Sequence, residues 1–167
     1  MAQFSSTGSV ANTDMNNMLR GYYRDNANHA VTGTTNETDL ASTTLTANDL
    51  GATGMLEVFA SGTITNSGSG AKTIKLYFGA TAIATVSRTA ANAQDWFICA
   101  RISNTATGAQ RIEVWYSTAD ATTVTFDYTT AAIDTTSNVT VEVTGTLVSG
   151  SDTITQTKME ILNVQIT

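Results

Sequence analysis

Trp96-Phe-Ile-Cys-Ala-Arg-Ile102 and Arg111-Ile-Glu-Val-Trp-Tyr116 flank a polar stretch that contains Asn104-Thr-Ala-Thr-Gly108. Each run alternates with period two. Trp96, Ile98, Ala100 and Ile102 share one face, and Phe97, Cys99 and Arg101 share the other. Ile112, Val114 and Tyr116 oppose Arg111, Glu113 and Trp115. Such alternation is the mark of a half-buried strand, and the polar stretch is a turn.

The same grammar extends outward in both directions. Upstream, Ile74, Leu76 and Phe78 alternate with Thr73, Lys75 and Tyr77. Met55–Thr65 reads as a long strand with a bulge or bend at Gly62. Val31–Thr35 and Leu40–Thr46 read as strands, and residues 48–54 as a turn with two glycines able to take positive φ. Downstream, Val124, Phe126 and Tyr128 read as an inward-facing set. Val139, Val141 and Val143 alternate with Thr140, Glu142 and Thr144. Met159–Ile166 reads as the last strand, with a phase slip near Ile161-Leu162 that predicts a bulge. No helical stretch separates these strands, so parallel βαβ units are excluded. The expectation is an all-β fold: an antiparallel jelly-roll β-sandwich of nine or ten strands with a short N-terminal arm.

Composition agrees. Of 167 residues, 33 are Thr and none is Pro, and only 13% are charged. Thr is β-branched and suits a pleated strand, and its hydroxyl serves the outer face without charge. The net charge is −6, and the eight basic residues are scattered. A nucleic-acid or anionic membrane surface needs them clustered, so neither partner is expected. No run approaches the length of a transmembrane helix. The N-terminus lacks the basic and apolar regions of a signal peptide, so assembly in a host cytoplasm is expected.

Residues 1–28 are expected to form an arm. Asp14 can cap a short helix with Met15, Met18, Leu19 and Tyr22 on one face, spaced for 3.6 residues per turn. That face either packs on its own domain or grips a neighbouring subunit. Residues 29–167 form the sandwich.

Little points to catalysis. One histidine, His29, and one cysteine, Cys99, supply neither a triad nor a metal site, and Cys99 is expected to be inert. The fourteen carboxylates show no calcium-loop spacing and no evident catalytic pair. No enzyme activity, cofactor or metal is expected. The informative feature is adjacent aromatics: Tyr22-Tyr23, Tyr77-Phe78, Trp96-Phe97 and Trp115-Tyr116, the last three within strands. Neighbours in a strand face opposite ways, so Tyr77, Phe97 and Trp115 are candidates for the outer surface, with Phe59 and Glu57 on one face of the long strand. Outward rings among few charges suit a protein interface, and a sugar platform is the rival reading.

The run Val31-Thr-Gly-Thr-Thr-Asn-Glu-Thr-Asp-Leu-Ala-Ser-Thr-Thr-Leu-Thr-Ala-Asn-Asp-Leu-Gly-Ala-Thr-Gly-Met-Leu-Glu-Val58 resembles a segment of tailed-bacteriophage structural proteins that opens a jelly-roll domain. Lys72-Thr-Ile-Lys-Leu-Tyr-Phe-Gly-Ala-Thr-Ala-Ile83 fits the strand that follows it. Thr46 stands where that pattern often has Pro. The resemblance implies a virion component, frequently trimeric, of the head-decoration (cement), head-fibre or baseplate kind. It carries no catalytic residue. The expected function is capsid decoration, with partners being further copies of the chain as a homotrimer, the major capsid protein and other virion proteins. The alternative is a tail-tip, baseplate or fibre module that binds host glycan.

Overall fold

A computed structural model describes residues 20–65, 70–89, 94–117 and 123–164. The alternating runs become eleven strands: β1 (Arg20–Asp25), β2 (His29–Thr32), β3 (Thr38–Leu45), β4 (Met55–Thr65), β5 (Lys72–Phe78), β6 (Thr81–Arg88), β7 (Gln94–Ala106), β8 (Ala109–Ser117), β9 (Val124–Ala131), β10 (Val139–Leu147) and β11 (Thr153–Val164). Among the described residues there is no helix.

The strands make two antiparallel sheets. The larger has seven strands, in the order β1-β11-β4-β7-β8-β9, and β2 also pairs with β11. The smaller has the order β3-β10-β5-β6. The pairings are nested: β5 with β6, β4 with β7, β3 with β10 and β2 with β11. This is a long hairpin rolled up until β4 also meets β11 and β5 also meets β10, which is the jelly-roll arrangement. The pair β8 and β9 is inserted between β7 and β10. It extends the large sheet beyond the margin of the small one.

The core lies between the sheets and collects the residues that alternation assigns inward. Leu56, Val58, Ala60 and Ile64 of β4 face Ile74, Leu76 and Phe78 of β5, with Ile98, Ile102, Ile112, Val114, Val143 and Ile161 around them, all wholly buried. Among the described residues, three charged side chains are wholly buried: Lys72, Asp152 and Arg88, whose guanidinium donates to Ser117 Oγ (2.6 Å). Lys72 Nζ and Asp152 Oδ2 lie 3.2 Å apart, and both side chains are completely buried. Burial this deep requires that each charge keep its partner.

Backbone irregularities sit where the packing needs them. Gly62 faces the extra residue of a bulge in β11, and a Cβ there would lie 1.9 Å from the Thr155 carbonyl oxygen. The irregularity expected at Gly62 lies in its partner strand, and β4 itself keeps unbroken register with β7 through Gly62. The bulge in β11 itself falls between Gln156 and Lys158, whereas opposite Ile161-Leu162 the extra residue is in β1, between Gly21 and Tyr23; the strand begins earlier, at Thr153. The apparent phase slip has another source: Leu162 faces outward and is half-buried, so its apolar character does not mark the core.

The N-terminal reading needs correction. Residues 1–19, with Met15, Met18 and Leu19, lie outside the described residues. From Arg20 on, the chain is strand and not arm: β1 and β2 lie end to end along one side of β11, separated by residues 26–28. Tyr22, the last position of the expected helical face, sits in β1. Its hydroxyl donates to the Thr44 carbonyl (3.1 Å) and accepts from the Thr46 amide (2.8 Å). Those bonds tie the large sheet to β3 of the small one, a role within the chain itself.

Candidate functional site

Directly paired residues in a sheet point to the same side, so the register maps each outer face. On the large sheet, one row runs Arg24, Glu160, Phe59, Cys99, Trp115, Phe126. The next runs Leu162, Glu57, Arg101, Glu113, Tyr128. Charges and rings are sorted along these rows. Near β1 and β11, Arg24 and Lys158 both pair with Glu160, and together they hold its carboxyl below the usual range, Lys158 most. Lys158 Nζ also sits 5.3 Å from the centre of the Phe59 ring, close enough for cation–π attraction. Mid-sheet, Arg101 bridges Glu57 at 2.8 Å and Glu113 at 3.8 Å. Toward β9 the face is aromatic. Trp115 and Phe126 have centroids 5.2 Å apart at 49°, a tilted pair of the favoured kind.

Val124, Phe126 and Tyr128 are the exposed large apolar residues of this face, at 56%, 55% and 53%. The expectation that they face inward is overturned. Alternation sets which residues share a side, but not which side meets a core. The small sheet reaches β8 through β6 and barely touches β9. The side of β9 nearer the small sheet therefore carries Thr125, Asp127 and Thr129, and the apolar side joins the outer face. After β9 the chain is pinned. Gln110 accepts from the Ile133 amide (2.9 Å) and donates to its carbonyl (3.0 Å), while Asn104 donates to Thr135 Oγ1 (2.9 Å).

The small sheet's outer face is different. Glu37 accepts from Thr144 Oγ1 (2.6 Å), Lys75 Nζ (2.9 Å) and Tyr77 Oη (2.9 Å). These bonds, Thr144's first, hold its carboxyl below the usual range. Beside it, Glu142 is pushed up to about 7, mainly by a hydrogen bond with the Asp39 carboxyl and then by burial. Around them the face carries Thr73, Thr85, Ser87, Thr140 and Ser42, with Ala82 opposite Tyr77.

The three candidate outward rings do point outward, but the structure divides them. Phe97 and Trp115 lie on the large sheet, whereas Tyr77 lies on the opposite face of the molecule with its hydroxyl engaged by Glu37. Phe97 lines a shallow depression with Ser61, Gly62, Asp95, Ser117 and Thr157. Phe126, Tyr128 and Val124 complete the aromatic end of the face. The sequence signal for them was their alternation, read with the wrong side inward. Cys99 sits mid-row, half-buried, with its thiol pushed up chiefly by burial, which keeps it protonated near neutrality. His29 is in β2, with Nε2 2.7 Å from Asp25 Oδ2.

No family model matches the chain, and no curated protein does. Among solved structures it is similar to arcelin-5, a lectin-like defence protein from Phaseolus vulgaris, at 7% identity over 72% of this chain and 75% of that one, with a TM-score of 0.38. It is also similar to a chain of the infectious bursal disease virus Gx strain, at 14% identity over 88% of this chain and 42% of that one, with a TM-score of 0.30. The fold assignment rests on the chain's own strand pairings.

Proposed function

We propose that this chain is a non-enzymatic structural protein of a tailed-phage virion, and within that class a capsid decoration protein. The observation that carries the reading is the aromatic end of the large sheet. Phe126 and Tyr128 are more than half exposed and Trp115 lies beside them, and the chain's own core makes no use of them. Rings with few charges around them release free energy when covered by another protein. The phage-like segments support the same reading, since residues 31–58 and 72–83 build the β2-to-β4 and β5-to-β6 parts of the roll.

The mechanism is cementing. Apolar and Thr-rich surface is buried across boundaries between copies of the major capsid protein, and the bound state stabilises only the assembled shell. The chain acts as a homotrimer in the virion, assembled in the host cytoplasm. Counting copies per purified particle tests this. Hundreds of copies on the head are expected, and a handful at the tail overturns the decoration role. Trp115→Ala is expected to weaken particle binding while the isolated protein stays folded. A second reading, a glycan-binding tail module, is favoured by the exposed Trp115–Phe126 ring pair beside Asp127. Saccharide binding by the isolated protein, abolished by the same substitution, is its signature.

A further inference from the structure

The two sheets have four edges, and three of them are interrupted. The β1 ladder has a register shift between Gly21 and Tyr23, and β1 is broken from β2. The β3 edge has a shift opposite Val143 and Thr144, and the β6 edge has one opposite Leu76 and Tyr77. Bulges of this kind spoil an edge as a template for another strand. The β9 edge is unlike the rest. Its eight residues pair with β8 in unbroken register from Val124 to Ala131. It carries no Lys, Arg or Pro, and its one charge is Asp127. Among the described residues, no strand pairs with its other side, and the one local bond a second strand must displace there is that of the Tyr128 amide to Asp127 Oδ1 (2.8 Å).

We infer that β9 pairs with β9 of a second copy of this chain, antiparallel about a two-fold axis at Phe126. A two-fold axis that sets two edge strands antiparallel runs perpendicular to the sheet, so the outer faces of both copies stay on the same side. Residues facing each other must then share parity. The register that centres on Asp127 is excluded, because it sets the two carboxylates opposite each other in a partly desolvated ladder. Centring on Phe126 places Phe126 against Phe126 and Val124 against Tyr128. On the other side, Asp127 meets the Thr125 hydroxyl, which can donate to it. The contact is self-complementary, as a two-fold interface must be. It joins the aromatic rows into one band, from Phe59 and Trp115 of one copy to Trp115 and Phe59 of the next.

The pairing concerns the isolated chain; it covers the same rings as the virion reading, and its two-fold contact is distinct from the three-fold contacts of the homotrimer proposed there. Cysteine cross-linking of the full chain in a Cys99→Ser background tests it. Phe126→Cys is expected to form a disulfide dimer about 100-fold faster than Val148→Cys, a still more exposed site elsewhere, because pairing gives a millimolar effective concentration against roughly 10 µM in solution. A mixture of Val124→Cys and Tyr128→Cys chains is expected to cross-link at the same elevated rate, and Val124→Cys alone is not. Phe126→Lys, which sets two like charges on the axis, is expected to abolish concentration-dependent doubling of mass in sedimentation with the β-sheet spectrum unchanged. If Phe126→Cys reacts no faster than Val148→Cys, or if Val124→Cys alone matches the mixture, the inferred pairing is wrong.

Discussion

The two outer faces of the sandwich answer the same problem in opposite ways. The small sheet's face closes on itself. Thr144, Lys75 and Tyr77 converge on Glu37, and Asp39 shares a hydrogen bond with Glu142, so its polar groups find partners within the chain. The large sheet's face is closed only at one end, where Arg24, Lys158 and Glu160 pair. At the other end, among the described residues, it presents rings and an edge strand. A face whose groups satisfy each other gains little from a partner. A face of exposed rings gains with every ring covered. The difference separates the side of the molecule that maintains the chain from the side available for assembly.

This contrast can be broken at four points, in decreasing order of expected effect. The premise that both faces rest on one core is tested by Asp152→Ala. It removes the carboxylate that faces the buried Lys72 ammonium and is expected to cost about 3–5 kcal/mol in urea unfolding. Two separate transitions, one per sheet, would break the premise. Next comes Glu37→Ala, which removes the acceptor of three hydrogen bonds, one from the buried Thr144. A loss of ~1–2 kcal/mol with self-association unchanged is expected. If association changes too, the small sheet's face is not closed.

The third point is pH. Glu142 in the folded chain has its carboxyl pushed up to about 7 from an ordinary 4.5. The folded state therefore holds the proton more tightly than the unfolded one. Stability should fall as pH rises from 4.5 toward 7 and level off above that. Denaturant midpoints across this range are expected to show that slope in the parent chain and to lose it in Glu142→Gln. The smallest effect belongs to the open face. Tyr128→Thr replaces an exposed ring on an edge strand and is expected to change stability by no more than ~0.5 kcal/mol. Its effect should appear in assembly instead, as weaker particle binding. A large loss of stability would mean that β9 belongs to the core.

Most of the roll could be read from the sequence because its strands keep period two and bury one side. Met55–Thr65 and Lys72–Phe78 fall where alternation puts them, and so do the inward sets of β7 and β10. What failed had a physical cause in each case. Tyr22 fits a helical spacing with Met15, Met18 and Leu19. The bonds that fix it come from Thr44 and Thr46, more than twenty residues away, and no local pattern contains them. Alternation puts Val124, Phe126 and Tyr128 on one side of β9, and that side faces out. The rule that apolar residues face inward presumes a second layer, and β9 lies past its margin. Of the candidate rings, Phe97 and Trp115 fell on the open face. Tyr77 could not be separated from them without knowing that β5 belongs to the other sheet.

The nested pairing also sets a timetable. Thr32 and Thr153, hydrogen-bonded partners in β2 and β11, are separated by 121 residues of chain. The β2–β11 ladder cannot form until nearly all of the described chain has been synthesised. The meander of β7, β8 and β9 needs only short loops and can assemble first. Folding dominated by such distant pairings falls in the millisecond-to-second range. During that interval the β9 edge would be formed while the roll that carries it is still open. The strand best suited to joining two finished molecules is then also the one most prone to join two unfinished ones.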